Sequence, residues 1–388
     1  MTISIDPAYV QKLTADMVRI NSINPALTHN DIGETNMAAY VADALNAIGL
    51  EVKTYSIAPN RMNVIGILRG TGDGRSLLLN AHMDTVGVAG MDDPFGAVMK
   101  NGRLYGRGSQ DMKASLAVMI AAAKALVDGG VQLKGDLWIT AVADEEYLSI
   151  GTEHLVETIA DVQIDAAIVT EPTEMTLCRA HRGFIWFEVE TIGRAAHGSR
   201  YAEGIDANMR MGRFLARLDK LEQELRQRTS HPLAGVPSLH ASLLHGGSEI
   251  SIYTASCKLT IERRTIPGET VAQCTAELQS IIDELAAQDE TFKATVTPTF
   301  WREPFEIDTD APIVQSLARA MENRLKATPV HSGQTYWTDA ALLAEAGIDS
   351  TLIGPIGDGL HTIEEWVDMQ SVVDLAAILA ETAVMFCE

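Results

Sequence analysis

Positive charge is scarce in this chain of 388 residues: 30 Lys and Arg stand against 52 Asp and Glu, a formal net charge of −22 at pH 7. That balance argues against nucleic acid or an anionic membrane as partner, because both recruit Lys and Arg to phosphate. Cysteine is also scarce. Cys178, Cys257, Cys274 and Cys387 lack any paired spacing, which speaks against a disulfide framework and fits free thiols in a reducing cytoplasm. The opening residues, MTISIDPAYV, lack the basic region and apolar core of a signal peptide. No apolar run reads as long enough to span a bilayer, and no repeat or low-complexity segment occurs. What remains is an ordinary globular composition, 46% apolar and 21% charged. Its length exceeds one simple core, so two domains are expected.

Along the chain, helical and strand patterns alternate at both ends. NMAAYVADALNAIG has apolar residues at helical spacing, with Asn36 as N-cap and Gly49 as stop. RSLLLNAH, GDLWITAVA, DAAIVT and STLIGP are continuous apolar runs, the kind expected of strands covered on both faces. ASLAVMIAAAKALVDGG and SVVDLAAILAETAVMF read as buried helices. This is an α/β domain with a mostly parallel sheet. The middle differs. FIWFEVETIG alternates, residues 206–228 form an amphipathic helix, SLHASLL and IYTASCKLTIERR are strands, 269–288 is a helix and TFKATVTPTF a strand. The order β-α-β-β-α-β predicts a ferredoxin-like α+β unit over 183–298, inserted into an α/β domain of 1–182 and 299–388.

The chemistry collects where the apolar strands stop. LLLNA runs into His82 and Asp84, LWITAVAD into Glu145 and Glu146, AAIVT into Glu171, and TLIGPIGDGL into His361. Asp111 lies just before the helix that starts near Ala114. In open α/β sheets, ligands bind outside the carboxyl ends of the strands. A lone histidine there is usually a hydrogen-bonded loop residue, and a Glu-Glu pair is usually surface charge. Several strands delivering such groups to one edge is a different matter, since ionised carboxylates after an apolar run are costly without a cation. Imidazole and carboxylate without thiolate point to zinc, with cobalt or manganese as alternatives. The set is too large for one ion and suits two that share a carboxylate. GTGDG, residues 70–74, precedes a strand and is a turn, not a phosphate loop. Met209 and Met211 are ordinary helix residues.

NAHMDTV, GRGSQDMKAS, ADEEYLSIGTEHL, EPT, AAHGSRYAEGIDAN, ERRTIPGE and GDGLHTIEEW occur in an order that resembles the M20 metallopeptidases over nearly the whole chain. The nearest branch is that of acetylornithine deacetylase, succinyl-diaminopimelate desuccinylase and carboxypeptidase G2. The resemblance implies a zinc-peptidase-like catalytic domain and an inserted lid and dimerisation domain. It implies that His82 and Glu171 bind one metal, Glu146 and His361 the other, and that Asp111 bridges them. Asp84 would hydrogen-bond the ring of His82, Glu145 would be the general base, and a cis peptide would follow Asp111. His197, in AAHGS, would donate to the oxyanion, reaching in dimeric members into the partner's site, which implies a homodimer. Arg264 or its neighbour Arg263 would clamp a substrate carboxylate. Ser251 and Thr254 stand where many members carry Asn and Pro, and Arg182 where lysine is usual. The expected substrate is a small N-acyl amino acid or, for a peptidase of the same family, a dipeptide.

Overall fold

The computed structural model describes residues 3–28, 32–88 and 90–388, and these divide into two compact units. The first comprises residues 1–179, 307–332 and 338–388. Its sheet runs in the order Glu51–Ala58, Arg61–Leu68, Leu137–Val142, Leu77–His82, Ala166–Val169, Asp349–Leu352 and Leu177–His181. The strands from Leu137–Val142 to Asp349–Leu352 are parallel to one another. They are the four continuous apolar runs, and nearly every residue in them is buried. With helices on the faces, neither side of such a strand can be polar. Their carboxyl ends therefore share one edge, at His82, Val142, Val169 and Leu352.

Ala114–Asp128 packs against Pro7–Arg19 and Met369–Phe386. Met369–Phe386 corrects one expectation: its 18 residues have a mean hydropathy of 1.5, long and apolar enough to cross a membrane. Two-thirds of that stretch, 67%, is buried inside the protein, which accounts for apolar residues all round the helix. A second correction concerns the helix Thr35–Ala47. Glu34, not Asn36, precedes it, and the Glu34 side chain makes no capping bond because Arg61 takes its carboxylate.

A small antiparallel sheet, less legible in the sequence, joins Gly357–Asp358, Trp366–Asp368, Arg103–Tyr105 and Val98–Lys100. It sets Trp366 opposite Tyr105. The turn carrying His361 and the loop leading to Asp111 thus leave the same sheet.

The second unit comprises residues 180–306 and 333–337. Its strands are Gly183–Ile192, Ser238–Gly246, Ser256–Thr265 and Lys293–Arg302; numbered along the chain they lie in the order 2-3-1-4. This is the ferredoxin-like arrangement. Helices Ala207–Leu225 and Val271–Gln288 start at the side-chain caps Asp206 and Thr270 and cover one face, burying Ile185, Phe187, Leu259, Ile261, Phe214 and Ile282. Met211 belongs to this core and Met209 is exposed. The boundary expected at residue 298 falls inside a strand. Lys293–Arg302 continues past Pro298 through a bulge before Phe300, which relieves the ladder of a missing donor. Residues 333–337 join this unit because the Gln334 carbonyl accepts the Arg182 N–H at 3.2 Å and Trp337 meets Phe184 edge-on.

Candidate metal centre

Within the first unit, five residues read from strand ends and the loop aspartate meet. Asp111 faces both histidines: Oδ1 lies 3.0 Å from His82 Nε2 and Oδ2 lies 3.3 Å from His361 Nε2. Glu171 Oε1 is 3.8 Å from His82 Nε2, and Glu146 Oε2 is 3.1 Å from His361 Nε2. Glu145 Oε2 stands 4.0 Å from His82 Nε2. His82, Asp111 and Glu146 form one group of donor atoms close enough to share an ion, and His82, Glu145 and Glu171 another.

The ring of His82 is fixed by its own loop. Nδ1–H donates to the main-chain carbonyl of Asp84 at 2.9 Å, which fixes the ring with Nε2 facing the carboxylates. The Asp84 carboxylate, expected to hold this ring, lies 3.6 Å from Nδ1. It instead accepts the backbone N–H groups of Glu145 and Glu146 at 3.1 and 3.2 Å, and the Asn24 amide at 2.8 Å. Asp84 therefore orders the turn that presents the two glutamates. Behind it, Asn24 also donates to Asp144 at 2.9 Å. Arg61 joins Asp144 at 2.6 Å and Glu34 at 2.7 Å. All of these groups are buried, so each charge needs its partner.

Electrostatics identify what the site wants. Burial and the neighbouring Glu171 charge push the Glu145 carboxyl well above its ordinary range. Glu171 is pushed well up by burial, despite the nearby His82, and burial with the Asp111 charge raises Glu146. Hydrogen bonds to Asp111 and Glu146 hold His361 up at about 10. Burial alone would lower His82, but Asp111 and the surrounding carboxylates leave it well raised. For Asp111, burial works upward, yet its bonds to both histidines keep it low. The cluster has more negative charge than its histidines neutralise. Glu146 Oε1 adds a further sign: it is buried with no hydrogen-bond partner among the described residues, a state rare for a carboxylate oxygen unless a cation takes it. The residues present fit a pair of divalent cations sharing Asp111.

The remaining candidates lie on the second unit. His197 pairs in a short bridge with Ile252, and its Nδ1 accepts the Ser199 N–H at 3.2 Å, which places its proton on Nε2. Arg263 is corrected: it points to the helix-covered face, is 2% exposed and bonds Glu269 at 2.6 Å, so its guanidinium is committed to the core. Arg264 lies on the opposite face, 31% exposed, paired with Glu262 and stacked over Phe184. The main-chain carbonyls of Ser251 and Thr254 accept from Gly198 and Ala207, and the Thr254 hydroxyl accepts the Asn208 amide at 3.2 Å. Arg182 donates to the Ala234 carbonyl. No local pattern in the sequence marks Asn24, Arg61, Asp144, Arg107 or Glu365 as part of the site. Asp144, Arg107 and Glu365 do fall inside the motifs ADEEYLSIGTEHL, GRGSQDMKAS and GDGLHTIEEW.

Two imidazoles and a ring of carboxylates at the strand ends of an α/β sheet, with one aspartate shared, define a hydrolase of the two-metal kind. The chain belongs to the peptidase family M20/M25/M40, whose profile matches residues 78–384, and it is a hydrolase of amide bonds. It is 30% identical over 336 residues to the acetylornithine deacetylase of Myxococcus xanthus, covering 84% of each chain. It is 26% identical over 381 residues to the N-formyl-4-amino-5-aminomethyl-2-methylpyrimidine deformylase of Bacillus subtilis (strain 168), covering 90% of this chain and 88% of that one. Among solved structures, a tripeptidase from Staphylococcus aureus superposes with a TM-score of 0.79 at 19% identity over 99% of both chains. Asp111–Met112 is a cis peptide, at the position the family resemblance indicates.

Proposed function

We propose that this protein removes the acyl group from an N-acyl amino acid, giving a carboxylic acid and a free amine, with two zinc ions held by His82, Asp111, Glu146, Glu171 and His361. The observation that carries this reading is Asp111, whose two oxygens each face one histidine. Bound there, two divalent cations supply Lewis acidity to the amide carbonyl and make water acidic enough to give up a proton near neutral pH. Glu145 takes that proton on its carboxylate and hands it to the leaving nitrogen. Support for this role is a carboxyl raised by burial and a backbone N–H anchored on Asp84. His197 donates from Nε2 to the developing oxyanion, and the tautomer set by Ser199 supports it. Arg264 grips the substrate carboxylate as a planar fork.

Acyl removal is favoured over peptide cleavage by the two relatives named, a deacetylase and a deformylase, each acting on an acylated nitrogen. The protein acts as a homodimer in the cytoplasm. Support for the dimer is the edge strand Ser238–Gly246, whose Leu243 and Leu244 are 57% and 53% exposed. Free, buried cysteines suit a reducing compartment. The test is a panel of N-acetyl and N-formyl amino acids against matched dipeptides. Turnover of acyl amino acids is expected; cleavage of dipeptides alone would replace the deacylase by a peptidase using the same centre.

A further inference from the structure

Glu365 is 1% exposed and Arg107 3% exposed, and Glu365 is in neither group of donor atoms close enough to share an ion among the described residues. Both carboxylate oxygens of Glu365 are saturated. Oε2 accepts Arg107 Nη1 at 2.7 Å and the Gly108 N–H at 3.0 Å. Oε1 accepts the N–H groups of Gln110 and Asp111 at 2.9 and 3.1 Å. Backbone donors pointing at one buried anion fix the course of the turn Ser109–Lys113, whose helical geometry is broken at Asp111 and Met112. Gly108 enters that turn with φ of 78°, a conformation glycine adopts without strain.

Arg107 completes the link. Besides Glu365, its Nη2 donates to the Thr362 carbonyl at 2.7 Å and its Nε to the Gly87 carbonyl at 3.1 Å. Thr362 is next to His361, and Gly87 closes the segment that follows His82 and Asp84. One buried ion pair therefore joins the His82 loop, the Asp111 loop and the His361 turn. His361 needs such support: it is 53% exposed on its side chain and has φ of 58°, so packing alone does little to hold it.

We propose that Arg107 and Glu365 are positioning residues for the metal centre, setting the spacing between Asp111 and His361 and thereby the affinity for the ion those two share with Glu146. This rests on the two-cation reading above. The ion on the His82 and Glu171 side depends less on the clasp, because His82 ends a sheet strand and its ring is held by Asp84.

The test uses the full-length protein stripped of metal and titrated with Co²⁺, read by visible absorption and by competition with a chelator, for wild type, Glu365→Gln and Arg107→Lys. Glu365→Gln keeps the volume but turns an accepting oxygen into a donor facing backbone N–H groups. The expected result is two Co²⁺ equivalents in wild type. In both variants one equivalent weakens by about 10- to 100-fold, the range for losing an outer partner of a metal ligand, while the other keeps its affinity and spectrum. Equal weakening of both ions, or unchanged affinity and spectrum at both, would overturn the clasp while leaving the two-cation reading intact. A wild type that takes up no Co²⁺ would overturn that reading and the clasp with it. Should Glu365→Gln fail to fold, Arg107→Lys, which keeps the charge but loses the fork to Thr362 and Gly87, decides alone by the same readouts.

Discussion

Asp84 holds the ring of His82 with its main chain, not its side chain: the carbonyl is 2.9 Å from Nδ1 and the carboxylate 3.6 Å. The carboxylate serves the backbone of Glu145 and Glu146 instead. Asp84→Asn should therefore leave the His82 ring in place while turning an amide N–H against those donors. We expect a stability loss of about 1–3 kcal/mol from poorly paired buried groups and a fall in kcat, with metal content near wild type. Urea unfolding and metal analysis check it; a loss confined to metal affinity would return Asp84 to the imidazole.

Glu145→Ala should keep both ions and lose most turnover, by about 10²- to 10⁴-fold as expected for a lost proton-transfer group. His361→Ala should lose the ion shared with Glu146 and Asp111. Metal content and kcat measured on both variants separate the roles. An active Glu145→Ala enzyme would remove Glu145 from proton transfer.

Arg61 lies between the buried carboxylates of Glu34 and Asp144. Its removal as Arg61→Ala leaves both without a cation, and a broken buried network of this kind costs about 3–5 kcal/mol. Chemical denaturation should show that loss. A change below about 1 kcal/mol would mean the network is solvated and does not support the Asp84 turn.

His181, fully buried in the second unit, donates Nδ1–H to the Arg182 carbonyl at 2.9 Å, and its Nε2 lacks a partner among the described residues. Burial pushes its pKa from 6.5 down to about 4. Because the folded value lies below the unfolded one, the unfolded chain binds the extra proton. Stability is full above about pH 6.5 and falls as pH drops toward 4, by up to about 3 kcal/mol. His181→Leu should flatten that slope in urea unfolding measured between pH 4 and 7. An unchanged slope would assign the acid sensitivity elsewhere.

What the sequence disclosed and what it hid follow one physical division. His82, Glu146 and Glu171 were legible because parallel strands buried on both faces are unbroken apolar runs, so a charged residue within a few positions of the end stands out. The alternation of Ser256–Thr265 separated Arg263 from Arg264 onto opposite faces, but only the partner Glu269 decides which is committed to the core. Asn24 and Asp84 meet across 60 residues and Glu365 and Asp111 across 254. No local periodicity marks such pairs. Glu365 was hidden further by Glu364 beside it, which reads as one more surface charge.

The proposed centre takes two cations joined by Asp111. Calorimetric titration of the metal-stripped protein with Zn²⁺, paired with elemental analysis, tests it most directly. Two equivalents per chain are expected for wild type, and no more than one tight equivalent for Asp111→Ala. A single equivalent in wild type, or two retained tightly by Asp111→Ala, would contradict it.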